Sequence, residues 1–261
     1  MGKLICLDAG HGINTPGKRC PKSLDPNETR EWWLNNRMAG HAAAALSAYD
    51  CRAMRADDPT GAEDVPLAAR AARANDARAD LYVSIHHNAG INGGAGGGIC
   101  LYVATKASDA ARRLAQAVYD ETVAKTGLAG NRSKGIWEES FSVLTNTSMP
   151  AVLGEFGFMD SSTDVPIILT DEFSRKCAEG IAAAVARVLQ LQYVGSGGHE
   201  GADLIGSDEP SDWAKEACNW AVERGLFVGN GGGNSFDWQG AMTREQIALL
   251  FMRFHALARG S

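Results

Sequence analysis

The chain has 261 residues, of which 45% are hydrophobic and 21% are charged, and its net charge at pH 7 is −6. This balance predicts a globular protein with one sizeable core and a smaller module, and the acidic charge argues against nucleic-acid binding, which normally needs a basic face. No apolar run approaches the ~20 residues needed to cross a bilayer, so we expect no membrane insertion. The first strand begins close behind Met1, without the regions of a signal peptide, so we expect a cytoplasmic protein until something else releases it.

The cysteines indicate a reduced compartment rather than a metal or disulfide framework. There are six, spread widely, and no Cys-x-x-Cys pair exists that would suggest a structural zinc site. Cys6 and Cys100 lie in strand-like runs and Cys177 lies on a helical pattern, so we expect small buried hydrophobic side chains. Cys20 lies in a loop, where nothing nearby predicts a reactive thiol.

The first predicted strand, residues 4–7, is an apolar run that leads to a glycine-flanked histidine, His11. The glycines permit unusual backbone angles and remove side-chain bulk, so the imidazole can stand exposed at the strand end. Because ligands of open α/β sheets collect at the carboxyl ends of strands, His11 is a candidate for metal or acid–base chemistry. The alternative is a histidine in a glycine-rich turn. Asp8 either orients this loop or accepts the second N–H of the imidazole.

A second candidate follows a loop over residues 13–27. Apolar positions then recur near the helical period from residue 28 to about residue 49, and Glu31 lies in the first turn of this predicted helix. Its carboxylate either favours the helix N-terminus electrostatically or acts as a metal ligand that faces His11. Beyond it we expect a short strand over residues 51–54 and a helix over residues 66–79.

Two further strands also lead to chemically active side chains. Residues 81–85 form the second clear strand, followed by His86 and His87, whose side chains point to opposite faces, so only one of them can face the site. Residues 149–154 form another buried strand, which leads to Glu155. Strands that alternate with helical patterns predict an α/β fold with a mostly parallel, twisted sheet flanked by helices.

The segments between these strands carry weaker signals. The glycine-rich run at residues 90–98 lacks the Gly-Lys-Ser/Thr of a phosphate-binding loop and leads into a strand at residues 99–103, so we interpret it as a flexible loop. Helices are expected over residues 108–125 and 173–191, the second closing the domain. Residues 127–146 are polar and irregular, and they either line a cleft or pack on the surface.

Two imidazoles and one carboxylate, with a fourth position left for water, are a common ligand set for catalytic zinc. His11, Glu31 and one of the pair His86 and His87 would hold one Zn²⁺ per chain. Glu155 would take a proton from the activated water and return it to a leaving nitrogen. The ligands are far apart in sequence, so this prediction depends on the fold bringing them together.

Five sequence segments occur together in one order and spacing. They are Asp-Ala-Gly-His-Gly at residues 8–12, Glu31 followed by Leu34-Asn35, Leu67-x-x-Arg70 with Asn75, Ser-Ile-His-His-Asn-Ala at residues 84–89, and Pro-Ala-Val-Leu-Gly-Glu-Phe-Gly-Phe at residues 150–158. In this combination the chain resembles the zinc-dependent N-acetylmuramoyl-L-alanine amidases of bacterial autolysins and phage endolysins. The resemblance covers essentially residues 3–191.

The resemblance implies a phosphorylase/hydrolase-like α/β fold that hydrolyses the amide bond between N-acetylmuramic acid and the L-alanine of the peptidoglycan stem peptide. It also implies zinc held by His11, Glu31 and His86, with Glu155 as the catalytic carboxylate. It thereby favours His86 over His87.

The first loop, residues 13–28, departs from the family pattern, in which this loop is often short. It borders the site and could alter which stem peptides fit. Glu28, at the end of this loop, competes with Glu31 for the ligand position. The spacing to Leu34-Asn35 favours Glu31.

The C-terminal part predicts a separate module. Residues 193–209 have the composition of a flexible linker between a catalytic domain at residues 1–192 and a small all-α module at residues 210–261, with helices expected over residues 210–224 and 242–258. Segments of this module at residues 213–217, 225–229 and 242–246 resemble a single S-layer homology repeat. Such repeats usually occur in threes and bind wall-linked polysaccharide, so one copy predicts wall binding, homo-oligomerisation or simple packing on the enzyme.

Together these features predict a peptidoglycan amidase, and the expected absence of a signal peptide favours a phage or prophage endolysin that acts on the cell wall after release. Its partners would be peptidoglycan and, through the module, secondary cell-wall polysaccharide. One alternative is a zinc carboxypeptidase or other metallopeptidase of related fold, which would form different products. Another is a non-catalytic wall-binding protein, against which the intact set of four site residues argues.

Overall fold

The structure is a computed structural model, and it describes residues 2–130, 135–195, 215–224 and 226. The chain divides into two units, Met1–Ser196 and Gly197–Ser261. The described strands of the first unit are β1 (Lys3–Ala9), β2 (Cys51–Arg55), β3 (Leu81–Asn88), β4 (Ile99–Val103), β5 (Ile136–Glu138) and β6 (Ala151–Phe158). Its described helices are α1 (Glu31–Leu46), α2 (Leu67–Asp76), α3 (Asp109–Thr126), α4 (Ser142–Thr145), α5 (Val165–Ile168) and α6 (Asp171–Leu189).

The strands form one six-stranded sheet in the order β2-β1-β3-β6-β4-β5. Neighbouring strands are parallel except for β6 and β4, which run antiparallel. The predicted mostly parallel α/β sheet is therefore confirmed. The direction changes because a glycine-rich loop, rather than a crossover helix, joins β3 to β4. As a result, β1, β3 and β6 end at the same edge of the sheet, whereas β4 and β5 end at the opposite edge.

Each face of the sheet buries its own hydrophobic cluster. On β1, Ile5 and Leu7 belong to the larger cluster, which α1, α3 and α6 cover, whereas Cys6 belongs to the smaller cluster, which α2 and α4 cover. On β6, Val152 and Leu153 divide between the two clusters in the same way. This alternation follows from the two-residue period of a strand, and it decides which side chains reach each side of the sheet edge.

The two longest helices begin at residues whose side chains cap them. The Ser108 hydroxyl accepts a hydrogen bond from the Ala111 N–H at 3.2 Å at the start of α3, and Gly127 ends this helix in the left-handed conformation. At the start of α6, the Thr170 hydroxyl accepts from the Phe173 N–H at 3.2 Å. These caps satisfy backbone groups that a helix end leaves without partners, so both helices form where the sequence predicts them.

The thiols behave largely as predicted. Cys6, Cys51, Cys100 and Cys177 are buried, and none of the six cysteines, all of them among the described residues, forms a disulfide. The expectation for Cys20 was incomplete, because this loop residue is fully buried within the larger cluster. Burial raises the pKa of Cys20 to about 12, so its thiol stays protonated and unreactive.

The segment at residues 127–146 was expected to be irregular, but its described part contains β5 and α4. Strand β5 is only three residues long, too short for an alternating pattern to identify it. The first residues of the predicted linker, Tyr193 and Val194, contact the domain before them. The Val194 N–H donates to the Ala48 carbonyl at 2.9 Å and the Tyr193 ring contacts Tyr49, so residues up to 195 belong to the first unit.

The described part of the second unit contains helix α7 (Lys215–Glu223), which lies within the helix predicted over residues 210–224. The helix predicted over residues 242–258 lies outside the described residues. None of the described helices is both long enough and apolar enough to cross a membrane.

Candidate metal centre

His11 lies just beyond β1 in a left-handed backbone conformation. The Gly10 N–H donates to the Ile85 carbonyl at 3.0 Å, which continues the pairing of β1 and β3. The φ angle of His11 is 68°. The sequence analysis expected an unusual backbone angle at the flanking glycines, but the structure shows it at the histidine. Gly10 has a different role, since a Cβ there would lie 2.0 Å from the ring of His86. The absent side chain lets the rings of His11 and His86 approach to 5.0 Å between centroids.

Glu31 is the first residue of α1, and its buried carboxylate lies between the two histidines. Oε1 is 3.0 Å from Nδ1 of His86, and Oε2 is 3.3 Å from Nε2 of His11. Burial acts to raise the pKa of Glu31, but the two histidines outweigh it and hold this pKa well below its usual range. Glu28 takes no part, since its carboxylate lies 3.4 Å from Nε of Arg19.

Asn35 and His87 fix the position of this carboxylate. The Asn35 amide Nδ2 donates to the Gly10 carbonyl at 3.1 Å and lies 3.4 Å from Oε1 of Glu31. Its oxygen therefore faces Nδ1 of His87, 2.8 Å away, and that nitrogen carries the proton. Burial lowers the pKa of His87 to about 3, so the ring is neutral. His86 thus faces the cluster, whereas His87 points to the other face and positions Asn35.

The cluster fits a divalent metal ion. One ligand atom from each of His11, Glu31 and His86 lies within 4.8 Å of the other two. Ligands on a zinc ion lie up to about 4 Å apart because each bond is 2.0–2.2 Å, so small side-chain shifts would close the site. Oε2 of Glu31 is buried and forms no well-aligned hydrogen bond with the described residues, although Nε2 of His11 lies 3.3 Å away. A cation between these two atoms would satisfy the carboxylate oxygen. Two imidazoles with one carboxylate also suit zinc chemically.

Glu155 lies beside His86, because the two are register partners on the neighbouring parallel strands β6 and β3. Its Oε2 is buried and has no hydrogen-bond partner among the described residues. Burial raises the pKa of Glu155 to about 8, and the charge of His86 acts in the opposite direction. A carboxyl group in this state can gain and lose a proton near neutral pH, as general acid–base catalysis requires.

A buried arginine supports the loop that carries His11. The Arg70 guanidinium donates to Oδ1 of Asp8 at 2.6 Å and to the carbonyls of Ala9 at 2.7 Å and His11 at 3.0 Å. Asp8 also accepts from the Ser84 hydroxyl at 2.8 Å. Of the two roles predicted for Asp8, it therefore fulfils the first, orienting the loop through Arg70. Its hydrogen bonds go to Arg70 and Ser84 rather than to the imidazole of His11.

A cleft of about 320 Å³ opens beside the two imidazoles. His11 and His86 line one side of it, and Asp64, Pro66 and Leu67 line the side formed by the start of α2. The Leu67 side chain is 53% exposed. An extended ligand can therefore reach the cluster from this side.

The structure thus brings together the four side chains that the sequence singled out. The side chains of His87 and Glu28 instead contact Asn35 and Arg19, although the His87 backbone N–H donates to Oε1 of Glu31 at 3.2 Å. Asn35 and Arg70 entered the sequence analysis only as parts of matching segments, and their roles were missed. A buried arginine or asparagine gives no periodic signal. Only its occurrence at a fixed spacing from a candidate ligand, such as Asn35 four residues after Glu31, could have identified it.

A His–Glu–His cluster with a carboxylate beside it, at the edge where parallel strands end, defines a candidate metal-dependent hydrolase. Residues 5–187 match the family described as N-acetylmuramoyl-L-alanine amidase. The chain is 34% identical over 195 residues to an endolysin of Bacillus phage SPP1, a match that covers 74% of this chain and 68% of the endolysin.

Solved structures agree with this match. An N-acetylmuramoyl-L-alanine amidase from Clostridium difficile 630 superimposes with a TM-score of 0.65 and 32% identity, over 72% of this chain and 97% of that one. The catalytic domain of CwlV from Bacillus (Paenibacillus) polymyxa superimposes with a TM-score of 0.64 and 25% identity, over 73% and 99%. The chain belongs to the N-acetylmuramoyl-L-alanine amidase family. It is accordingly a peptidoglycan amidase.

Proposed function

We propose that this chain hydrolyses the amide bond between N-acetylmuramic acid and the L-alanine of the stem peptide, with zinc held by His11, Glu31 and His86. The observation that carries the proposal is the buried Oε2 of Glu31, which forms no well-aligned hydrogen bond with the described residues. It lies in a cluster whose ligand atoms are within 4.8 Å of one another. A buried carboxylate oxygen without a hydrogen bond is costly, and the Lys18 ammonium group, 3.8 Å away, lies beyond hydrogen-bond distance. Family membership supports the choice of substrate bond.

When bound, zinc would polarise the scissile carbonyl and lower the pKa of water from about 15.7 to roughly 7. Glu155 accepts the proton that the attacking water loses, and donates it to the amide nitrogen as the C–N bond breaks. Its Oε2, which forms no hydrogen bond with the described residues, is the atom suited to this transfer. Acid–base catalysis of this kind contributes about 10²–10⁴-fold to the rate.

The second unit would support the same activity through binding or assembly rather than through catalysis. The module at residues 210–261 would bind secondary cell-wall polysaccharide or join chains into a homo-oligomer, with the residues before it as a linker. Similarity to the SPP1 endolysin supports a phage or prophage endolysin that remains in the cytoplasm until release and then acts on the wall.

The test of the catalytic assignment is Glu155→Gln, which removes the proton acceptor while keeping the shape of the side chain. We expect one zinc ion per chain by metal analysis, and a loss of lytic activity of at least about 10²-fold. Glu139→Gln, at an exposed carboxylate, is the matched control and should leave both unchanged. Loss of zinc from the Glu155→Gln protein, or retained lysis, would refute the assigned role.

The test of the reaction is digestion of purified peptidoglycan, with the new ends identified by mass spectrometry. We expect free stem peptides that begin with L-alanine, together with intact glycan. New ends within the stem peptide would instead indicate a carboxypeptidase or other metallopeptidase. Binding without any cleavage would indicate a wall-binding protein that has lost catalysis.

A further inference from the structure

The first loop brings a lysine to the metal centre and holds its backbone there. The Lys18 carbonyl accepts a hydrogen bond from the N–H of Glu31 at 3.0 Å. The next residues continue this pairing, since Arg19 forms a bridge with Arg30 and the Cys20 N–H donates to the Thr29 carbonyl at 2.9 Å. Cys20 is also buried in the larger hydrophobic cluster. These backbone hydrogen bonds and the burial of Cys20 hold this part of the loop in place. They therefore define the position of the Lys18 backbone.

The side chain of Lys18 faces the cluster at one end and solvent at the other. Nζ lies 3.8 Å from Oε2 of Glu31, and 45% of the side chain is exposed. Glu31 is the one carboxylate that forms an ion pair with Lys18 among the described residues, and the charge of Lys18 also acts on Glu155 from farther away. Oε2 of Glu31 is the same oxygen that forms no hydrogen bond with the described residues and that would bind the metal ion.

Metal binding would remove this partner from Lys18. A zinc–oxygen bond is about 2.0–2.2 Å, so an ion on Oε2 would lie at most about 6 Å from the ammonium group. Two positive charges at that separation repel each other. The ammonium group then has no ion-pair partner among the described residues, while 45% of its side chain remains in solvent. An anionic group of the substrate beside Nζ of Lys18 would neutralise the charge of this ammonium group.

We propose that Lys18 is a specificity-determining residue that binds a carboxylate of the stem peptide, on the residue that follows the alanine of the cleaved bond. One residue of extended peptide spans about 3.3–3.6 Å, so a carboxylate on that residue lies about 4–7 Å beyond the scissile amide. Nζ of Lys18 lies 3.8 Å from Oε2 of Glu31, close to the short end of this span. The inference rests on the proposed function, because it takes the stem peptide as substrate.

Two soluble muramoyl peptides test it, identical except that the residue after alanine carries either a free α-carboxylate or the corresponding carboxamide. With wild-type protein we expect KM for the carboxylate substrate to be lower by about tenfold, as is typical of a hydrogen bond between charged groups. Lys18→Met should raise that KM to the level of the carboxamide substrate, with kcat little changed. Lys18→Arg, which keeps the charge, should restore most of the preference.

The control is Lys22→Met, since Lys22 is an exposed lysine of the same loop and should show wild-type preference. A second readout is calorimetric binding of the free stem peptide to zinc-loaded Glu155→Gln protein. There Lys18→Met should weaken binding of the carboxylate peptide by about tenfold and leave the carboxamide peptide unaffected. Zinc content and thermal stability should match wild type in every Lys18 variant.

Equal losses on both substrates would refute the proposal, because they would assign Lys18 to the reacting carbonyl or to the fold. Lower zinc content in Lys18→Met would refute it in favour of a role at the metal ligands. If wild-type protein cleaves neither substrate at the muramoyl–alanine bond, the proposed function fails instead, which is a separate outcome.

Discussion

Replacement of Arg70 by methionine is the most informative perturbation of the support beneath the metal centre. Both Arg70 and Asp8 are 1% exposed, and they pair at 2.6 Å. Methionine keeps the unbranched side chain but leaves the Asp8 carboxylate buried without its countercharge. Removing one partner of a buried ion pair costs about 3–5 kcal/mol in the free energy of unfolding. We expect a loss of that size in urea denaturation at pH 7.

Two comparisons isolate the cause. Arg73→Met, on the same helix, removes hydrogen bonds to the carbonyls of Ala56 and Asp57 but no side-chain ion pair, and should cost only about 1–2 kcal/mol. Adding Asp8→Asn to Arg70→Met removes the unpaired charge and should recover part of the stability. If Arg70→Met costs no more than Arg73→Met, the argument from a buried unpaired carboxylate is wrong.

The same variant tests the connection to the metal centre. Arg70 donates to the carbonyl of His11 at 3.0 Å. It thereby holds His11 in a backbone conformation, with a φ angle of 68°, that is unfavourable for histidine. Loss of an interaction that orients a ligand typically weakens metal affinity by about 10–100-fold. We therefore expect zinc affinity, measured by competition with a chelator, to fall by that factor in folded Arg70→Met protein. Unchanged affinity would show that the loop keeps its conformation without Arg70.

Three further predictions concern other features of the structure. Gly10→Ala should reduce zinc affinity and activity, because its Cβ would lie 2.0 Å from the His86 ring. The control Gly40→Ala, whose Cβ would enter open space on α1, should reduce neither. Equal effects of the two variants would contradict this prediction. Because burial raises the pKa of Glu155 to about 8, zinc uptake at pH 7 should release nearly one proton more from wild type than from Glu155→Gln, and zinc affinity should rise with pH up to about 8. Calorimetry in two buffers measures this, and equal release refutes it. Removal of residues 197–261 should preserve turnover of soluble muropeptides but weaken wall binding, and a collapse of turnover would contradict it.

The local pattern of the sequence determined most of the fold. Apolar runs followed by His11, His86 and Glu155 were sufficient to place three strands with their carboxyl ends at one edge, because parallel strands must end together. The spacing from Glu31 to Asn35, carried by the family resemblance, selected Glu31 over Glu28. These features were predictable because each is encoded within a few neighbouring residues.

The tertiary structure decided what depends on contacts between distant segments. The direction of β4 and the existence of β5 follow from pairing with other strands, and β5 is too short to be recognised from its own residues. The choice between His86 and His87 depends on which face of β3 meets the cluster. Sequence reasoning could state that only one faces the site, but without the resemblance it could not say which.

The sequence pattern by itself therefore determined the type of sheet and the edge that carries the site, and the family resemblance selected among the candidate ligands. The structure added the interactions that hold them, in which Arg70 supports the His11 loop and Lys18 lies beside Glu31. Fifty-nine residues separate His11 from Arg70. No local pattern encodes such a contact, because its energy comes from burial and charge pairing that exist only after the chain has folded.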